Sequence, residues 1–122
     1  MRNLKNSIQK CIKSFGFAFN GIGHLLKHEN NIRYQVLVGI VTVIVAFYLK
    51  VDQQEWLIVI TMIGLVLMAE AFNTAIERLC DFVHPAQHPV IGKVKDLAAG
   101  AVLIISITAA VVGVIVFGSK IW

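Results

Sequence analysis

Apolar residues are arranged in two ways along this chain. In the first stretch Leu4, Ile8, Cys11, Ile12, Phe15, Phe19, Ile22 and Leu26 recur at three- and four-residue steps, with Lys5, Lys10 and Lys13 between them. That period is helical and gathers the apolar positions on one face. An amphipathic helix over about residues 4–27 is therefore predicted, too charged to span a bilayer and suited to lie on its surface. Beyond it the apolar residues run on without a period. Residues 34–49 are uncharged and bracketed by Arg33 and Lys50, 18 residues from bracket to bracket. That is about 27 Å of helix, enough to cross hydrocarbon, and the two long basic side chains can snorkel to the interfaces. The polar segment Val51-Asp52-Gln53-Gln54-Glu55 is short, so the chain turns back at once, and Trp56 stands where an interfacial aromatic is expected. A second apolar run starts at Trp56 and passes through Ile60, Leu65 and Met68. It keeps its helical character to about Leu79, although Glu70, Asn73 and Glu77 interrupt it. Residues 81–92, with Pro85 and Pro89, read as a loop. The third run, 97–119, is 23 residues without a charge.

The pattern predicts one domain over residues 1–122: the surface helix, transmembrane helices at 33–50, 56–79 and 95–119, and a loop at 80–94. Composition agrees. Of 122 residues, 57% are hydrophobic and only 15% charged, with a mean hydropathy of +0.77, where soluble chains carry about 25% charged residues. This excludes a disordered chain, a disulfide-rich secreted scaffold and a water-soluble globule, and leaves an all-α integral membrane protein. Cys11 and Cys80 form neither a framework nor a metal-ligand spacing. The first residues are polar and basic, with no apolar region leading to a small-residue cleavage site, so no secretory signal is expected.

The net charge of +4 is modest, but its placement is informative. Arg2, Lys5, Lys10, Lys13, Lys27 and Arg33 put six of the eleven basic residues ahead of the first span. Apolar residues threaded among them at helical intervals fit a membrane surface better than nucleic acid, and no nucleic-acid partner is expected. Arg78, Lys93 and Lys95 fall on the same side, against Lys50 and Lys120 on the other. The basic side is cytoplasmic by the positive-inside rule. A multi-pass protein of the cell (inner) membrane is expected, its N-terminus inside and Trp122 outside.

Carboxylates near a span are costly and need a reason. Glu70, Asn73, Glu77 and Asp81 are 3, 4 and 4 residues apart. At about 100° per residue they fall at roughly 0°, 300°, 340° and 20°, one narrow stripe. It runs down the cytoplasmic half of the second span to its mouth, where Lys93, Lys95 and Asp96 stand, with Glu29 on the same side of the membrane. Interfacial caps and salt bridges would account for Asp81 or Lys93 but not for Glu70, about two turns deeper than Arg78. A cation channel or transporter would need polar groups through the whole thickness, which the other spans lack. A metal-nucleotide site, with hard oxygens for Mg²⁺ and lysines for phosphates, fits a cluster confined to the side where ATP is available. None of the soluble-kinase motifs occurs. Gly21-Ile22-Gly23 is weak as a phosphate cradle, and His84 and His88, flanking Pro85, read as solvated.

Glu70-Ala71-Phe72-Asn73-Thr74-Ala75-Ile76-Glu77 closely resembles the E-x-x-N-[ST]-A-I-E signature of the prokaryotic diacylglycerol kinase family, small three-span membrane lipid kinases. Ala18-Phe19-Asn20-Gly21-Ile22 is similar to the family's surface-helix motif, and Glu29-Asn30-Asn31-Ile32-Arg33 to its E-x-x-F-R segment. The run from Lys95-Asp96-Leu97 to Ala101-Val102-Leu103 is similar to K-D-x-x-x-x-A-V-L at the start of the third span. The resemblance implies ATP as phosphoryl donor, with Mg²⁺ bridging its phosphates and held by Glu29 and Glu77. It implies Glu70 as general base toward a lipid hydroxyl, and Asn73 orienting the reacting groups. Lys95 and Asp96 match nucleotide contacts, joined by Lys10, Phe17 and Asp81, although some members have arginine in place of Lys10 and tyrosine in place of Phe17. Gln35 departs from members with an acidic residue or histidine there and receives no role. Homotrimers with active sites shared between protomers are implied, which suits the small residues Ala98, Ala99, Gly100 and Ala101. The Asn73–Glu77 motif, the His88-Pro89 loop and those small residues look more like the Gram-positive, undecaprenol-phosphorylating branch. Diacylglycerol is the alternative substrate.

Overall fold

The structure is a computed structural model describing residues 2–122, and its regular elements are four helices: α1 (Arg2–His28), α2 (Asn30–Tyr48), α3 (Gln53–Val83) and α4 (Pro89–Ile121). The last three are each long and apolar enough to cross a membrane. α3 is the central element, packed on α2 along one side and α4 along the other, while the main contact of α1 is with α2. No residue of α1 is buried.

The helices outrun the apolar stretches that announced them. α3 continues to Val83 and α4 begins at Pro89, so the loop expected over 80–94 shrinks to His84–His88, and Asp81, Lys93 and Lys95 are helical. Polar residues end an apolar run without ending a helix. Pro89 opens α4 because its missing N–H would have no partner in a first turn, and His88 Nδ1 accepts the Val90 N–H at 3.1 Å. The histidines expected to be solvated thus shape the loop: the His84 ring donates to the Ala86 carbonyl at 2.7 Å. At the other boundary α2 starts at Asn30, leaving Glu29 alone between α1 and α2.

The α2–α3 turn is closed by local chemistry. Lys50 takes a left-handed conformation, φ 54°. The Val51 N–H donates to Ala46 O and the Lys50 N–H to Phe47 O, both at 3.3 Å, which caps two last-turn carbonyls and brings Val51 onto Ala46. α3 begins with a capping box: Asp52 Oδ1 accepts the Glu55 N–H at 2.9 Å, and Glu55 Oε1 accepts the Asp52 N–H at 3.0 Å. The Glu55 N–H is the main cause holding the Asp52 carboxyl below the usual carboxylate range. Lys120 reaches Glu55 at 2.8 Å and ties the end of α4 to the start of α3. Ala46, Val51, Val59 and Val116 form the core of this end, with Trp56, Ile63, Val112 and Phe117 around them. Farther along, α2 and α3 approach closely at Gly39, where a Cβ would meet Ile63 Cγ2 at 3.2 Å.

Candidate active site

Because α3 is unbroken from Gln53 to Val83, the 3-4-4 spacing becomes one continuous stripe at the end of the bundle away from that core. Its deepest member, Glu70, is only 4% exposed, and Asn73 and Thr74 are buried beside it. Glu77 and Asp81 are exposed farther along the helix. Asn73 Nδ2 donates to Glu77 Oε1 at 3.2 Å. Asn73 Oδ1 is buried with no hydrogen-bond partner among the described residues. Orphaned buried oxygens are rare and call for an explanation, of which a bound donor group is one.

The joint between α1 and α2 comes to the same place. Glu29 and Glu77 both lie near enough to Glu70 to act on its carboxylate electrostatically. Arg78 Nη2 donates to Glu29 Oε1. Lys95, near the start of α4, donates through Nζ to Asp81. Asp96 is exposed and forms no ion pair among the described residues.

The structure therefore brings Glu29, Glu70, Asn73 and Glu77 together, with the Asp81–Lys95 pair on the same stripe nearer the end of α3. It does not bring Lys10 and Phe17 to them. Both lie on the exposed α1, Phe17 73% exposed, and no hydrogen bond or ion pair joins either to the carboxylates among the described residues. Among the described residues no three His, Cys, Asp or Glu side chains converge closely enough to hold a metal ion by themselves.

Two features escaped sequence reasoning. Arg78 pairs with Glu29 across 49 positions, and separations of that size leave no periodic signal. Arg33, expected to snorkel, folds back onto the end of α1. One turn deeper than Glu70, Val66 lines an apolar cavity of about 300 Å³ between α2, α3 and α4, with Gln35 on its wall and Phe117 at its far end. A second, open groove of about 590 Å³ runs along the His84–His88 loop and includes His88 and Lys95.

Chemically, this is a water-poor carboxylate and an unpaired amide oxygen set between an apolar cavity and a charged mouth. Such a site suits a proton transfer at a hydroxyl whose remainder is apolar. Carboxylate oxygens and a lysine at the mouth suit a polyanion with a hard cation.

The sequence profile of the prokaryotic diacylglycerol kinase family matches residues 16–117. The chain is similar to the undecaprenol kinase of Bacillus subtilis, 30% identical over 116 residues that cover 95% of this chain and 94% of that one. It is similar to the diacylglycerol kinase of Escherichia coli K12, 29% identical over 111 residues, 91% of each chain. A diacylglycerol kinase of Synechocystis is 31% identical over 101 residues, 82% of this chain and 58% of that relative.

Proposed function

The chain belongs to the prokaryotic diacylglycerol kinase family and is a membrane lipid kinase, and on that footing we propose that it transfers the γ-phosphate of ATP to the hydroxyl of undecaprenol, giving undecaprenyl phosphate. The observation that carries this reading is the buried Glu70 carboxylate with the unpaired Asn73 oxygen one turn along the same face. Glu70 takes the proton of the lipid hydroxyl as that oxygen bonds to the γ-phosphorus. The bond from the γ-phosphorus to the bridging oxygen breaks in line, and ADP leaves. Asn73 orients the reacting groups, its Nδ2 fixing Glu77 and its free oxygen left to accept from a donor other than the reacting hydroxyl, whose single proton goes to Glu70. Phosphoryl transfer needs positioning and charge neutralisation more than covalent help, so no phosphoenzyme is invoked.

Glu29 and Glu77 would hold Mg²⁺. Two carboxylates without a closed cage are the donor set that suits this ion, which keeps waters and takes its remaining ligands from substrate phosphates. Bound there, Mg²⁺ would supply charge neutralisation on the ATP phosphates. Lys95 and Asp96 bind the nucleotide, Lys95 with Asp81 beside the groove along the loop. Lys10 and Phe17 join them in this reading when α1 lies over the mouth at the membrane surface. The hydrocarbon chain of the lipid has the apolar cavity one turn below Glu70 to enter. A homotrimer with shared sites accords with the long exposed apolar faces of α4, including Leu103, Ile104, Ile107 and Ile115.

The nine basic residues on the carboxylate side, against Lys50 and Lys120 at the Glu55 end, support a cytoplasm-facing mouth in the cell membrane. Gln53→Cys and Gln87→Cys, each with Cys11 and Cys80 replaced, are expected to label from opposite sides. An impermeant reagent outside intact cells should reach position 53, and reach position 87 only after permeabilisation. The reverse pattern would turn the mouth away from ATP and end the proposal.

Undecaprenol is favoured by the Asn73–Glu77 motif and the coverage of the undecaprenol kinase relative. Diacylglycerol remains the second reading, on the strength of the other relatives. Purified protein in mixed micelles, given labelled ATP with both lipids at equal concentration, should phosphorylate undecaprenol first. Preferential labelling of diacylglycerol would reverse the assignment.

A further inference from the structure

The joint between α1 and α2 is a single residue. α1 ends at His28, α2 starts at Asn30, and Glu29 between them is extended, with φ −114° and ψ 113°. Two soft dihedrals there would let α1 swing, and would turn the Glu29 carboxylate with it. α1 buries no residue of its own, so packing supplies little restraint.

A helix C-terminus leaves four carbonyls without intrahelical donors. At this one the Glu29 N–H takes Leu25 O at 3.0 Å. Arg33 takes the next two: Nε donates to Leu26 O at 2.6 Å, and Nη2 donates to Lys27 O. The third guanidinium nitrogen, Nη1, reaches Asn30 Oδ1 at 3.4 Å. The Arg33 backbone N–H meanwhile donates to Glu29 O at 3.4 Å. Glu29 is thus enclosed between the main chain and the side chain of one arginine, while Arg78 holds its carboxylate from α3.

We infer that Arg33 is a positioning residue for Glu29: by bridging the last carbonyls of α1 to the first turn of α2, it fixes the backbone that presents the Glu29 carboxylate to the mouth of the site, against Arg78 of α3. This inference rests on the reading of Glu29 and Glu77 as the magnesium ligands. A guanidinium suits the task because its donors form a rigid planar fork that meets several acceptors at once. An ammonium at the same place is a point charge on a flexible stem. The positive charge also complements the negative end of the α1 dipole.

Arg33→Lys and Arg33→Gln, in the full chain with ATP and lipid alcohol saturating, provide the test. Magnesium titrations, lipid KM and thermal stability are measured on the same preparations, with Glu29→Gln alongside. Both Arg33 variants are expected to need about 10-fold more magnesium for half-maximal rate, the lower end of what loss of a group supporting a metal ligand costs. Lipid KM should stay unchanged, and lysine should restore little despite keeping the charge. If Glu29→Gln raises the magnesium requirement and the Arg33 variants do not, the inference fails while the proposed metal site stands. If Glu29→Gln leaves it unchanged, the metal reading itself fails and takes the inference with it. A loss of stability with rate falling equally at all magnesium concentrations, or failure of both variants to assemble, makes Arg33 an ordinary structural residue and overturns the inference.

Discussion

Glu70→Gln is expected to lower kcat by about 10²–10⁴-fold, the range that a positioned general base contributes, with ATP and lipid affinities little changed. The reasoning starts from burial. Glu70 is 4% exposed and makes no ion pair among the described residues. Two of the cations at the mouth are taken, Arg78 by Glu29 and Lys95 by Asp81. A buried carboxylate without a cation is poorly suited to hold a nucleotide and well suited to accept a proton from a hydroxyl brought to it. Glutamine keeps the volume and one acceptor oxygen, so the hydroxyl still docks, and only the interaction made in the transition state is lost. The residual rate should also lose the acidic limb of its pH profile, which reports deprotonation of the base. Nucleotide affinity, thermal stability and single-turnover rate measured on one preparation decide the point. If affinity or assembly falls in step with rate, Glu70 is a ligand or a structural group and the base assignment is wrong.

What could be read from the sequence divides along physical lines. The three spans were legible because crossing hydrocarbon demands a length of uncharged helix, and residues 34–49 and 97–119 supply it openly. The Glu70–Asp81 stripe was legible because α3 is continuous there, so spacing translates directly into a face. The loop is shorter than expected because polarity and proline do not by themselves mark irregular chain. Pro89 sits instead where a helix tolerates proline best, and α4 starts on it. D-x-x-E at Asp52 and Glu55 has capping-box spacing, which the reading of 51–55 as a short polar turn missed and the structure uses. The left-handed Lys50 had no such signal, since glycine is the usual residue at that position. Contacts between distant segments were invisible. Nothing local tells Arg78 to choose Glu29, or tells Arg33 to choose carbonyls over the carboxylate four residues before it. Lys10 and Phe17 mark the other limit. Their roles come from resemblance, and within one chain α1 keeps them away from the carboxylates.

Glu77→Gln is expected to cut turnover by about 100-fold or more, since removal of a ligand should exceed the 10–100-fold that losing a supporting partner costs. Glu29→Gln should behave alike, and the double variant should be little worse than either. Two carboxylates serving one cation act as a unit, so their defects overlap, with an interaction energy at the upper end of the usual range, about 3 kcal/mol. Stability should barely register these changes. The Glu29 and Arg78 side chains are 26% and 52% exposed, and ion pairs so open to water contribute roughly 0–1 kcal/mol. Glutamine at 77 can still accept the Asn73 amide through its carbonyl oxygen, so that 3.2 Å contact need not be lost. A cavity or folding defect would show instead as lowered thermal stability with additive losses. The decisive measurement is the magnesium dependence of turnover for both single variants and the double. If the rates approach that of the unsubstituted protein as magnesium rises, the carboxylates bind the ion without being needed once it is in place. Loss that is additive and insensitive to magnesium would remove both residues from the metal site.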